Sequence, residues 1–332
     1  MQDYIKKLFL LTREKIILLT RPAGNKFFLL TRPTGGLTDM LAQIAITIDY
    51  SKRDNRFLIV DTEISDFFNE PFSNYFVFND CSLGITKASE DIISLLNRTD
   101  TRPKEIFGRL DKYIAEQIPS KERSYISRKM NHFTNLRDSE SKAPLTFNMD
   151  RLYKERLLVH HCSGGGSHLA LNALRELKPT DYLKMAIHSA LSRLPKDYSA
   201  IHIRNTDLRA DLSNIEEAFK IYAGSPILIC SDDLKIVDRL RGDFPSFEFV
   251  SLSDSVSYRN KDLVKLTLHK NNPGLPRNEV NTQMFVELIA MATASSFYAV
   301  PLVEKRSRKF SGFSQLVKEL RENEEILKKF LQ

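Results

Sequence analysis

Cysteine is scarce: Cys81, Cys162 and Cys230 are the only three in 332 residues, an odd number at wide spacings. That count excludes a disulfide framework and points to a reducing compartment. Long apolar runs are missing as well. No window reaches the roughly 18 uninterrupted apolar residues that a spanning helix needs, and the first residues do not follow a signal peptide's charge-then-apolar order. The chain is therefore read as cytoplasmic, with the inner face of the membrane open to it. Familiar phosphate fingerprints are absent too. The triple glycine at 164–166 fits neither G-x-x-x-x-G-K-S/T nor G-x-G-x-x-G, which argues against a P-loop NTPase and a dinucleotide oxidoreductase. His160, His161, Cys162 and His168 cluster in sequence, but no second Cys or His pair stands at finger spacing, so no metal site is expected. Cys162 has no identifiable partner for a nucleophile's role and is read as a small buried residue at a strand end.

What is present is an ordinary globular composition, 42% hydrophobic and 27% charged, in a chain long enough for two domains with substantial cores. The net charge of +7 would suit nucleic acid, anionic head groups or a phosphorylated substrate. Basic residues are scattered among 42 acidic ones, and the richest runs, KRDNR and EKRSRKF, are short. No nucleic-acid-binding signature appears, so a basic nucleic-acid-binding protein is kept only as an alternative and no nucleic-acid partner is expected.

The motif LLTR occurs at 10–13, 18–21 and 29–32, at unequal spacings that exclude a solenoid. Only the third copy runs into paired glycines, Gly35 and Gly36. Residues 26–31 are expected to form a strand, followed by a helix capped by Thr38, with Met40, Leu41, Ile44, Ala45 and Ile48 on one face and Asp39 near its positive end. RFLIVDT at 56–62 reads as a buried parallel strand. Residues 85–150 are polar and basic, with helices expected at 88–97 and 104–117 and little chemistry. Strand, triple-glycine loop and helix return over 156–177. From 181 the alternation is regular: helix 181–194, strand 199–207, helix 214–223, strand 226–233, a helix, strand 247–254, helix 282–295, strand 296–300. This order implies an α/β chain of two Rossmann-like halves facing a cleft, divided near Pro179 into 1–178 and 179–332, with a last helix over 314–331 that packs back across the halves.

Chemistry is then expected at the carboxyl ends of strands. IHIRNTD ends one strand with His202, Arg204 and Asp207; alternation puts His202 and Arg204 on one face, aiming a bidentate fork where a phosphate could sit. A structural Arg–Asp pair is the competing account. CSDD ends the next strand, where Asp232 or Asp233 could accept hydrogen bonds from a base or ribose, or Asp232 could cap the following helix.

Taken in order, His-x-Arg-x-x-Asp at 202–207, Ser-Asp-Asp at 231–233 and KFSGFSQLVKEL at 309–320, together with TGGLTDMLAQIA at the first glycine turn, resemble the two-Rossmann, GT-B fucosyltransferases: the rhizobial chitin-oligosaccharide and core α1,6-enzymes and the protein O-fucosyltransferases. The resemblance spans 26–50 and 180–320. It implies that Arg204 binds a donor diphosphate with His202 beside the nucleotide, that Asp232 or Asp233 holds guanine, and that Ser311, Phe313 and Ser314 close over the phosphates. Gly35 and Gly36 would let the first half approach the donor sugar. The chain departs from the family in having Asn205 where a second Arg often stands, and Asp39 where Asn is common. The expectation is a metal-independent, inverting glycosyltransferase without cofactor, using a nucleotide sugar, GDP-fucose first, on a glycan acceptor of surface polysaccharide, lipid-linked forms included. A different nucleotide-sugar donor is the alternative. Asp39, beside the glycine turn, is the candidate base, with a simple helix-start acid as its competing account.

Overall fold

The computed structural model describes residues 27–206, 208–222, 224–255, 276–303 and 309–332; the first two LLTR copies and Asp207 lie outside them. The first half opens with β1 (Phe28–Thr34), α1 (Leu37–Arg53) and β2 (Phe57–Val60). β1 pairs in parallel with β2 on one side and with β8 (Leu157–Ser163) on the other. Short strands β4 (Gly84–Ile85) and β5 (Thr101–Arg102) complete a five-stranded parallel sheet in the order β4-β2-β1-β8-β5. Outside it β3 (Phe76–Phe78) pairs antiparallel with β9 (Leu177–Pro179) and β6 (Ala115–Gln117) with β7 (Leu136–Asp138), and the helices α2 (Glu90–Leu96) and α3 (Ser120–Met130) lie between β4 and β7 in sequence. Leu29 and Leu30 project to opposite faces and both are fully buried, as expected of a central strand covered on both sides. α1 packs against α4 (Ser167–Glu176), the helix that follows β8.

The second half runs α5 (Asp181–Leu191), β10 (Ser199–Ile203), α6 (Ile215–Ile221), β11 (Ile227–Ser231), α7 (Leu234–Asp243), β12 (Phe249–Val250), α8 (Arg277–Thr293) and β13 (Ser296–Ala299). Its sheet is parallel in the order β12-β11-β10-β13. In both sheets the strand order reverses beside the first strand, between β1 and β8 and between β10 and β13. Ligands of open α/β sheets bind outside the carboxyl ends of such strands.

The chain ends in α9 (Gly312–Arg321) and α10 (Glu324–Leu331) rather than in one helix over 314–331. Asn323 leaves helical geometry at φ −122°, ψ 73°, and its side-chain amide donates to the Glu319 carbonyl at 2.7 Å, taking the acceptor that a continuing helix would use. α9 packs on α1, α4 and α8, and one apolar cluster joins Leu29 and Leu58 of the first sheet to Ala200 and Leu228 of the second through Phe285, Leu316 and Phe330.

Two further expectations fail. Thr38 does not cap α1: the N-cap is Gly36, without a side-chain hydrogen bond, and Thr38 lies inside the first turn. Residues 104–117 are not a helix. Gly108 turns the chain at φ +68°, the Leu110 N–H donates to Asn97 Oδ1, and Ala115–Gln117 pairs antiparallel with Leu136–Asp138. Between those two strands stands Ser120–Met130, a helix with no buried residue.

Candidate active site between the two sheets

A cavity of about 240 Å³ lies where the carboxyl ends of the two sheets face each other. One wall is the first turn of α1, from Gly36 to Asp39, with Phe67 from the loop after β2. The opposite wall holds His202 and Arg204 at the end of β10, Ser231 and Asp232 at the end of β11, and Ser311, Gly312 and Phe313 at the start of α9.

Local sequence accounts for each placement. Ile201 and Ile203 belong to the apolar cluster on the far face of the second sheet, so alternation turns His202 and Arg204 toward the cleft. His202 is buried with Nδ1 2.6 Å from Ser314 Oγ, and its ring lies 5.2 Å from that of Phe313. Ser311 caps α9, accepting from the Ser314 N–H at 3.1 Å. The two halves meet closely here: a Cβ on Gly312 would stand 2.7 Å from Thr38 Oγ1.

Arg204 Nη1 pairs with Asp232 Oδ2 at 2.9 Å, and Asp232 also accepts from the Asn205 N–H at 2.7 Å and from the Thr206 hydroxyl. Arg204 thus has a carboxylate partner, Asp232 at the next strand end, while the Asp207 of its own motif lies outside the described residues, and Arg204 still stands on the cavity wall. Asp233 is the residue that caps α7, accepting from the Lys235 N–H and from Asn205 Nδ2, and it does not line the cavity. Gly35 also stands back from the cavity. Its φ of +95° makes the turn, and an added Cβ would meet Asp39 and Ser163 at 3.2 to 3.3 Å. Ser314 is buried beneath the wall, under His202.

Sequence reasoning missed the helical wall. Val280, Gln283, Met284 and Glu287 form one stripe of α8 facing the cavity. The Glu287 carboxylate accepts from Gln283 Nε2 at 2.8 Å. Burial, with the nearby charge of Asp232, raises the Glu287 carboxyl to about 7, against the smaller opposing effect of the Gln283 hydrogen bond. A readable signal existed: Glu287 is the one charged residue in the apolar second half of α8, four residues after Gln283.

In the His–Cys run at 160–162, His160 and Cys162 are structural. His160 is buried and held neutral, bridging Thr146 Oγ1 at 2.7 Å and Gln43 Oε1 at 2.6 Å, while the Gln43 amide donates to the Gly164 carbonyl. Cys162 is buried, donates to Asn135 Oδ1 and is pushed up to about 11 by burial, which leaves no thiolate near neutral pH. Among the described residues no group of three or more His, Cys, Asp or Glu is placed to hold a metal ion. Among the same residues no helix is long and apolar enough to cross a membrane.

No protein-family model and no curated protein matches the chain. Solved structures do. The fucosyltransferase NodZ from Bradyrhizobium superposes with a TM-score of 0.52 at 15% identity, over 89% of this chain and 93% of that one. NodZ alpha-1,6-fucosyltransferase co-crystallized with GDP gives the same values. The crystal soaked with GDP-fucose gives 0.51 at 16% identity, over 88% and 93%. The chain therefore has an α/β GT-B fold like that of the fucosyltransferases, with two Rossmann-like halves facing a cleft.

Proposed function

We propose that the chain is a glycosyltransferase that takes a sugar from a nucleoside diphosphate, GDP-fucose first, and transfers it to a glycan. The observation that carries this reading is the convergence on one cavity of the Arg204 guanidinium and the first turns of two helices, α1 and α9. Helix N-termini present unpaired N–H groups and partial positive charge, and a guanidinium adds a fixed cation, so the site suits a diphosphate. As the sugar–phosphate bond breaks, negative charge grows on the leaving diphosphate. Donors already in place stabilise it without reorganisation, and Arg204 takes the part a metal would otherwise play. The NodZ crystals with GDP and GDP-fucose support this choice of donor on the shared fold.

Base recognition is reassigned. Asp233 caps α7 away from the cavity and Asp232 lines the cavity while held by Arg204, whereas Glu287 presents a carboxylate there from the α8 wall with no cation paired to it among the described residues. An ionised Glu287 would accept from guanine N1–H and the exocyclic amine together, a pair that uracil cannot offer. His202 would lie beside the nucleotide, with Ser311 and Phe313 over the phosphates and Gly36 allowing close approach of the sugar. Asp39 faces the same cavity from the first half and is the proposed base, activating an acceptor hydroxyl on the side away from the diphosphate, which inverts the anomeric centre. Residues 179–332 thus hold the donor and 1–178 the acceptor, a glycan of surface polysaccharide, with lipid-linked forms reached at the membrane face.

The test is release of GDP from GDP-fucose by the full chain, with UDP- and CMP-linked sugars alongside and with EDTA in parallel. The reading expects release from the GDP sugar, unaffected by EDTA. Release confined to UDP or CMP sugars would leave a glycosyltransferase with another donor, and activity lost to EDTA and restored by Mn²⁺ would contradict the site as drawn.

A further inference from the structure

A second and larger cavity, about 1340 Å³, opens on the other side of the turn that closes the first. Near neighbours in sequence line the two: Thr34 and Asp66 the large cavity, Gly36 and Phe67 the donor cavity. Its floor is built at the carboxyl ends of β1, β2 and β8, where Arg32 and Asp61, 3% and 4% exposed, pair at 2.8 Å and the Tyr113 hydroxyl meets His161 Nδ1 at 3.0 Å. Among the described residues, six carboxylates, from Asp61 at the floor to Asp111 at the rim, line it beside two cations, Arg32 and Lys87. Burial holds His161 down at about 3, so it adds no positive charge, and the carboxyl of Glu63 is raised by burial and the neighbouring charge of Asp61, with Lys87 opposing and Glu90 adding a smaller push. In a chain of net charge +7 this acidic lining is local. Ile64 and Ile114, 45% and 67% exposed, also line the cavity and offer apolar contact to the C–H face of a sugar ring.

We propose that this cavity is the acceptor subsite and that its charge selects an amino-bearing, cationic saccharide over an anionic one. The proposal rests on the glycosyltransferase reading, in which the turn that runs from Thr34 in this cavity to Asp39 in the donor cavity links acceptor to donor. Crowded carboxylates repel one another, and an ammonium group on the sugar relieves that repulsion while ring hydroxyls donate to the remaining carboxylate oxygens. A uronate would add to the repulsion.

The experiment measures calorimetric binding of three probes to the full chain without nucleotide: a glucosamine tetrasaccharide, maltotetraose and a galacturonate tetrasaccharide. Affinity should fall in that order, by roughly tenfold from the first to the second, and the glucosamine probe should weaken as salt rises. Exchanging Glu63→Gln and Glu90→Gln together should cost the glucosamine probe about five- to tenfold and leave maltotetraose and GDP affinities unchanged. Galacturonate binding as tight as glucosamine, or a double variant that binds glucosamine as the parent does, would overturn the proposal. Because the probes are titrated without nucleotide, a failure of GDP to bind would count against the donor reading and not against this one.

Discussion

At the scale of single residues, Glu287 and Arg204 divide the donor between base and diphosphate. Glu287 titrates near 7 in the folded chain, and only its ionised form accepts two hydrogen bonds from guanine. GDP affinity should therefore rise between about pH 6 and 8, by a proton-linked step that vanishes in Glu287→Gln, where affinity is flat with pH and lower by roughly tenfold. The stability linkage has the matching sign. Because the folded value lies above the ordinary 4.5, the stability associated with the neutral carboxyl is complete below about 4.5 and is lost as pH rises through about 7. Thermal melts should show Glu287→Gln stabilised relative to the parent at pH 8 and level with it at pH 4. Arg204→Ala should weaken GDP by about 100-fold while leaving guanosine nearly unaffected, and Arg204→Lys should rescue poorly, because an ammonium cannot both hold Asp232 and fork onto phosphate. Equal losses for GDP and guanosine would place Arg204 away from the diphosphate. Arg204 was legible in sequence because strand alternation fixes its face. Glu287 was readable only as a lone charge in the apolar half of α8, and its role acquires meaning only when the opposite sheet closes the cavity around it.

At the scale of elements, the two glycines after β1 have separable duties. Gly35 holds φ +95°, which a side chain disfavours by about 1 to 2 kcal/mol, so Gly35→Ala should lower stability by that order and disturb Asp39. Gly36 has ordinary backbone angles and open space at its Cβ; Gly36→Ala should melt within about 0.5 kcal/mol of the parent yet reduce donor turnover, since the added methyl enters the cavity. The reverse pattern, with Gly36→Ala unstable and fully active, would contradict this division. Gln43 ties α1 to the glycine loop after β8 through His160 and the Gly164 carbonyl, so Gln43→Met should leave two buried polar groups unpaired and cost about 1 to 3 kcal/mol in chemical denaturation. The strands and helices with clear periodicity were readable from β1 through α8. The errors fell where one residue's hydrogen bond decides the outcome: the bare Gly36 cap in place of Thr38, Gly108 and Asn97 in the middle segment, and Asn323 at the break between α9 and α10. Periodicity carries no record of such bonds.

At the scale of the whole molecule, the last two helices bind the halves into one core. Phe330, 1% exposed, meets Phe76 edge-on at 6.0 Å, and Lys329 Nζ donates to the Leu174, Arg175 and Leu177 carbonyls of the first half. Phe330→Ala should cost about 3 to 5 kcal/mol in urea unfolding and shift a single transition rather than split it; a loss under about 1 kcal/mol would mean that α10 contributes little to that core. Two sheets of parallel strands were foreseeable from the βα alternation, and so was a cleft between them. The interlocking of the ends was only partly visible, because it depends on contacts between residues some 250 apart in sequence. The central claim, a site built for a guanosine-diphosphate sugar, is tested most directly by calorimetric titration of the full-length chain with GDP, UDP and CMP at pH 8, without added metal. The account predicts GDP binding at least roughly tenfold tighter than UDP, with CMP weaker still. Equal affinities for GDP and UDP would contradict it.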